Sequence, residues 1–198
     1  MKFLIIGGFL GSGKTSFILH LARHLVQVRQ AEKVVILENE VGQVSVDDKL
    51  LSDSGYQVRG MFAGCVCCTM AGELPVNVRL IQKELDPDWI IMEATGVAFP
   101  DSIRENLERF LEEKPQVICR VDAKRWRKLL GPMEHLLPHQ LRGAHKILIN
   151  KVDLVSEEEL EWITSSIATF NHTARQEAFC AIESIPEGIL DRIVDWEP

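Results

Sequence analysis

Phe3-Leu4-Ile5-Ile6-Gly7-Gly8-Phe9-Leu10-Gly11-Ser12-Gly13-Lys14-Thr15-Ser16 is the stretch that decides the fold. Phe3 to Ile6 is a short apolar run and reads as a buried strand. Gly8 to Thr15 fits G-x-x-x-x-G-K-[ST], the pattern of a phosphate-binding loop, and the amphipathic residues Ser16 to Gln30 read as a helix. Gly8, Gly11 and Gly13 allow backbone dihedrals that other residues avoid, so successive N–H groups can turn toward phosphate oxygens. The start of the helix adds a favourable potential for an anion. Lys14 would neutralise the β- and γ-phosphates and so take part in catalysis; the Thr15 hydroxyl would ligate Mg²⁺. The nucleotide-contact candidates in this stretch are Gly8, Gly11, Ser12, Gly13, Lys14, Thr15 and Ser16.

Outward from this motif, strand and helix alternate. Lys33 to Glu38 is a second strand-like run and Tyr56 to Arg59 a weaker third. Glu73 to Leu85 is helical by periodicity and is ended by Pro87. Asp88 to Glu93 reads as a buried strand, Ser102 to Glu113 as an amphipathic helix, and Gln116 to Asp122 and His145 to Asn150 as two further strands. Ser156 is a helix N-cap with Glu159 in the capping-box position. A short strand near Phe179 to Ile182 and a helix from Pro186 to Val194 follow. Continuous apolar strands between helices predict an α/β fold of three layers, a mostly parallel sheet with helices on both faces. Residues 1–198 are expected to form one domain, with Val41 to Gly72 its least regular part.

Composition narrows the function. A net charge of −7 over 198 residues advertises no basic face and argues against nucleic acid as a partner. No apolar run is long enough to span a bilayer, so no membrane role is expected. The start resembles a secretion signal only superficially, because the phosphate loop overlaps it. Three of the five cysteines are crowded together, which is no disulfide framework and suggests a reducing cytoplasm.

Three more motifs complete a nucleotide site. Asn150-Lys151-Val152-Asp153 follows a strand, and its N-K-x-D pattern suits guanine. The Asp153 carboxylate can accept from N1–H and the 2-amino group, an arrangement adenine does not offer. Lys151 can lay its stem along the base, while Asn150 ties neighbouring loops together. Glu93-Ala94-Thr95-Gly96 ends a strand where ligand crevices of open α/β sheets lie. Glu93 can hold Mg²⁺ through water and the Gly96 N–H can reach a γ-phosphate. Glu38-Asn39-Glu40-Val41-Gly42-Gln43, with Asp47 and Asp48 beyond, is an acidic stretch that can order around Mg²⁺ and a γ-phosphate. Asp47 or Asp48 is the candidate for orienting the attacking water. No arginine finger is evident, so slow intrinsic hydrolysis is expected.

Gly64-Cys65-Val66-Cys67-Cys68 is the second signature. Three thiols can converge on Zn²⁺, Cu(I) or an iron–sulfur centre, with Co²⁺ and Ni²⁺ also compatible. Glu38, Glu40, a water or a partner subunit could complete the set. The alternatives are a redox pair of Cys65 and Cys67, or simple packing. His20 with His24, and His135 with His139, have the i,i+4 spacing of metal ligands, a spacing that also fits surface or core-edge positions. Cys119 and Cys180 lie in apolar runs and are expected in the core, and Trp89, Trp126, Trp162 and Trp196 in packing.

The ordered set GGFLGSGKTS from Gly7, ENEVGQVSVDD from Glu38, GCVCCT from Gly64, EATG from Glu93 and NKVD from Asn150 resembles the CobW/HypB/UreG group of P-loop GTPases, most closely its CobW/YjiA-like branch. The resemblance implies a G-domain of the SIMIBI class that hydrolyses GTP to GDP. It also implies a transition metal, Zn²⁺ or Co²⁺/Ni²⁺, delivered to a recipient metalloprotein or a cofactor-assembly protein, corrinoid-related or zinc-dependent. Homodimerisation across bound nucleotide is common in the group. By the same resemblance Thr15 falls on Mg²⁺, Glu38 and Glu40 near metal, and Cys65, Cys67 and Cys68 at the thiolate site. Gln43 stands where the family usually has Glu, Ala63 where it usually has Asn, and the sequence carries neither the extra C-terminal domain nor the histidine-rich tract of many relatives. Two other readings use the same motifs: a nucleotide-dependent switch with redox-sensing cysteines, and a small-molecule kinase, against which the guanine motif argues.

Overall fold

The structure, a computed structural model, describes residues 1–38, 57–60, 73–112, 114–180 and 185–195; for Glu38, residues 57–60 and Glu73 it describes the backbone alone. The elements run β1 (Lys2–Gly8), α1 (Lys14–Gln27), β2 (Val34–Glu38), β3 (Gln57–Gly60), α2 (Glu73–Leu85), β4 (Trp89–Glu93), α3 (Pro100–Glu108), β5 (Gln116–Asp122), α4 (Ala123–Leu130), α5 (Leu136–Leu141), β6 (Lys146–Asn150), α6 (Glu157–Phe170), β7 (Arg175–Phe179) and α7 (Glu187–Val194). Among the described residues the seven strands form one sheet in the order β3-β2-β4-β1-β5-β6-β7, and every pairing is parallel.

The central strands are apolar because both of their faces are covered. Alternate residues of β1 point to opposite sides. Phe3 and Ile5 join the core that α2 to α6 cover; Leu4 and Ile6 join the core beneath α1 and α7. Helix α1 supplies Phe17, Ile18, Leu21, Ala22 and Leu25 to the second core, a one-sided helical stripe. The chain is therefore a three-layer α/β/α domain, with β1 between β4 and β5 and the phosphate loop leaving its carboxyl end.

Several boundaries differ from the sequence reading for identifiable reasons. The last strand is Arg175–Phe179, upstream of Phe179–Ile182. It pairs on one side only and is half-exposed, so it is written in polar residues and carries no apolar run. Helices α4 and α5 were not read from the sequence. In α4 only Ala123 and Trp126 are buried, too few for a legible stripe, and its start is fixed by Asp122, whose side chain accepts from the Arg125 N–H at 3.2 Å. Helix α3 begins at Pro100, in the first turn where proline is tolerated, and ends at Glu108. The Ser156 cap is present, its Oγ accepting from the Glu159 N–H at 3.2 Å. Cys119 is buried, and burial pushes its thiol up to about 12. Cys180 is only partly buried, just beyond the edge strand. Trp89 and Trp126 are core residues; Trp162 is exposed, with the Arg127 guanidinium 4.0 Å from its ring centre.

Candidate functional site

The loop between β1 and α1 has the strained geometry its glycines allow. Gly8, Gly11 and Gly13 have φ of 130°, 76° and 90°, all in the region that favours glycine. At Gly8 a Cβ would lie 2.2 Å from the Arg120 carbonyl oxygen, so the β1 end must pass β5 without a side chain. Lys14 folds back across the loop, its Nζ donating to the Gly8 carbonyl at 3.1 Å and lying 3.9 Å from Glu93 Oε1. Its side chain is 6% exposed. Thr15 and Ser16 are exposed in the first turn of α1. The Thr15 hydroxyl reaches both oxygens of Glu93, at 3.2 and 3.0 Å. Lys14, Thr15 and Glu93 thus meet at one point. It lies at the carboxyl ends of β1 and β4, where Ile6 pairs with Glu93.

The segment after β4 closes against the same loop. A Cβ on Gly96 would come within 2.5 Å of the Leu10 side chain, so only glycine fits. Buried Gln140 of α5 donates to the carbonyls of Gly96 (2.9 Å) and Ala98 (3.2 Å) and fixes that turn.

The guanine motif is bound to the phosphate loop through its back. Asn150 Nδ2 donates to the Ser12 carbonyl at 3.1 Å. Lys151 adopts φ 63° and its Nζ donates to the Gly11 carbonyl at 3.0 Å and to Asp122 Oδ2 at 2.6 Å. The Lys151 head group is therefore held by protein, while Asp153 is exposed on a single 3-10 turn, Val152–Leu154. Arg125 donates to the Leu10 carbonyl at 2.8 Å.

Not every sequence candidate comes here. Glu38 ends β2, in register with Glu93 of β4. Glu40, Gln43, Asp47, Asp48, Ala63, Cys65, Cys67, Cys68 and Trp196 lie outside the described residues. The two histidines of each pair have different surroundings. His24 is buried against Asp191 of α7 at 3.0 Å, whereas burial and then the nearby Arg23 lower the pKa of His20. His135 is solvent-exposed beside Glu134, and His139 lies against the Phe99 ring. Among the described residues no three His, Cys, Asp or Glu side chains gather into a metal-binding group.

Sequence reasoning missed Asp122, Arg125 and Gln140. For Asp122 a signal existed: a carboxylate closing a buried strand, as at Glu93. For Arg125 and Gln140 there was none, because each acts on a backbone carbonyl distant in sequence.

The family model described as CobW/HypB/UreG, nucleotide-binding domain, matches residues 2–177. The chain is 32% identical to the zinc chaperone YjiA of Escherichia coli over 78% of its own length and 50% of that protein's. It is 28% identical to the zinc-regulated GTPase metalloprotein activator 1 of Dictyostelium discoideum, over 86% of this chain and 44% of that one. The chain thus spans about half the length of the curated relatives it matches. In fold it is similar to the hydrogenase maturation factor HypB of Archaeoglobus fulgidus, with a TM-score of 0.72 at 20% identity, covering 98% of this chain and 88% of that one. No helix among the described residues is long and apolar enough to cross a membrane.

Proposed function

From the premise that the chain belongs to the CobW/HypB/UreG family of nucleotide-binding domains, we propose that it binds and hydrolyses GTP and couples that cycle to the capture and release of a transition metal for a recipient protein. Zinc is the metal we favour, because the similar proteins are zinc chaperones and a zinc-regulated GTPase metalloprotein activator. The observation that supports this most is the convergence of Lys14, Thr15 and Glu93 at the mouth of a loop whose back is tied to the guanine motif.

The donors at that mouth fit Mg²⁺, because the Thr15 hydroxyl and the Glu93 carboxylate are hard oxygen ligands and no soft atom stands among them. When bound, the ion would supply charge neutralisation between the β- and γ-phosphates. The chain's own contribution is positional. Backbone amides of the loop would cradle the phosphates, Lys14 would exchange the Gly8 carbonyl for phosphate oxygens, and Asp153 would read the guanine edge. The charge on Lys14 would meet that developing on the leaving group, with the Gly96 N–H reaching the γ-phosphate and Asp47 or Asp48 orienting water. Glu38, Glu40, Cys65, Cys67 and Cys68 are the proposed ligands of the transported metal. Of these, Glu38 ends β2 in backbone register with Glu93 of β4. We place the protein in the cytoplasm, with this domain pairing with a second copy when nucleotide is bound.

Calorimetric titration with GDP and ADP tests the nucleotide half of this reading. GDP is expected to bind at least about a hundredfold more tightly, and Asp153→Ala to erase most of that preference with little change in Tm. Equal affinities for GDP and ADP in the unaltered protein would refute it.

A further inference from the structure

Strand β5 carries one charge in its apolar run. Arg120 follows Cys119 and sits opposite Gly8 in register. Its side chain points to the α1 face, the side Ile118 takes, and is 1% exposed. The guanidinium lies 5.0 Å from the Phe17 ring centre and 5.4 Å from that of Phe179. Among the described residues, none of Nε, Nη1 or Nη2 has a hydrogen-bond acceptor and no carboxylate pairs with it. The neighbouring Ser12 Oγ is likewise buried without a partner. Burial lowers Arg120 to about 10, which leaves it charged at neutral pH.

A buried cation without a counter-charge is strongly unfavourable, and two aromatic faces offset only part of that cost. An anion nearby would offset the rest. The nearest structure built for one is the phosphate loop. A Cβ at Gly13 would fall 3.3 Å from Arg120 Nη2 and 2.9 Å from Asn150 Nδ2, so the guanidinium packs directly against that turn of the loop.

We propose that Arg120 is a positioning residue of the nucleotide site, an additional cation behind the phosphate loop whose charge is compensated only when a nucleoside di- or triphosphate is bound. It acts on the polyphosphate through the Gly13 turn, without touching it, and it adds to the attraction exerted by Lys14. The inference rests on the nucleotide-binding reading above. It makes the empty protein less stable than an apolar residue would, and makes the phosphate-bound protein tighter.

Arg120→Leu and Arg120→Lys test this, with Tm of the nucleotide-free protein and affinities for GDP and guanosine as readouts. Arg120→Leu is expected to raise the nucleotide-free Tm and to weaken GDP about tenfold, while guanosine binding changes by less than about twofold. Arg120→Lys, which keeps the charge, is expected to retain most of the GDP affinity. A purely structural arginine would give the opposite Tm change and no difference between GDP and guanosine. A lowered nucleotide-free Tm, an Arg120→Leu chain that does not fold, unchanged GDP affinity, or equal losses for GDP and guanosine would each overturn the proposal. Absence of GDP binding by the unaltered protein would instead overturn the function proposed above.

Discussion

Glu93 and Asp122 are two carboxylates in comparable places with opposite surroundings. Each closes a buried parallel strand flanking β1, Glu93 on β4 and Asp122 on β5. Glu93 is 19% exposed at the side chain, and its partners include the Thr15 hydroxyl and the more distant Lys14 ammonium. Asp122 is 3% exposed and is held by the Lys151 ammonium at 2.6 Å and the Arg125 N–H at 3.2 Å. The first is a carboxylate whose contacts can be exchanged for an incoming ligand. The second is saturated by a charge-assisted pair and a helix cap, and such a group fixes geometry without taking part in exchange. Strand-end position alone therefore does not distinguish the two carboxylates; their exposure and partners do.

Substitution separates the two roles. The largest effect is expected for Glu93→Gln, which keeps the volume and removes the charge beside Thr15. GTP turnover should fall about a hundredfold, with unfolding free energy changed by less than about 1 kcal/mol. A large loss of stability with turnover intact would reverse the assignment. Asp122→Asn should act the other way. It removes the charge that holds Lys151 while keeping an oxygen able to cap α4, and should cost about 2 kcal/mol of unfolding free energy in denaturant titration, with turnover at saturating GTP lowered only a few-fold. If it instead abolished turnover while leaving the denaturation midpoint in place, Asp122 would belong with the reacting groups.

The same contrast explains what was legible in the sequence. Phe3 to Thr15 was readable because a buried strand, three glycines and a lysine each follow from local physics. Glu93 was readable because it ends an apolar run beside that loop. Asp122 ends an equally apolar run, but its meaning depends on Lys151 and Arg125 arriving from other elements, and Gln140 acts across the domain on Gly96. Arg120 was hidden differently: one charge in a strand looks like noise until the strand is seen to have Phe17 and Phe179 on that face. Strand β7 was displaced because an edge strand such as RQEAF needs no apolar continuity. Local chemistry thus announced the glycine loop and the carboxylate beside it, while the residues that hold them in place became visible only through topology.

The central claim is that the bound guanine nucleotide and the transported metal sense one another. Such coupling requires different metal affinities in the two nucleotide states, since equal affinities shift no population. The most direct test is the Zn²⁺ affinity of the reduced protein, measured by competition with a chromophoric chelator, once with GDP and once with a non-hydrolysable GTP analogue, both with Mg²⁺. The account predicts binding at least about tenfold tighter with the GTP analogue. Indistinguishable Zn²⁺ affinities in the two states would contradict it.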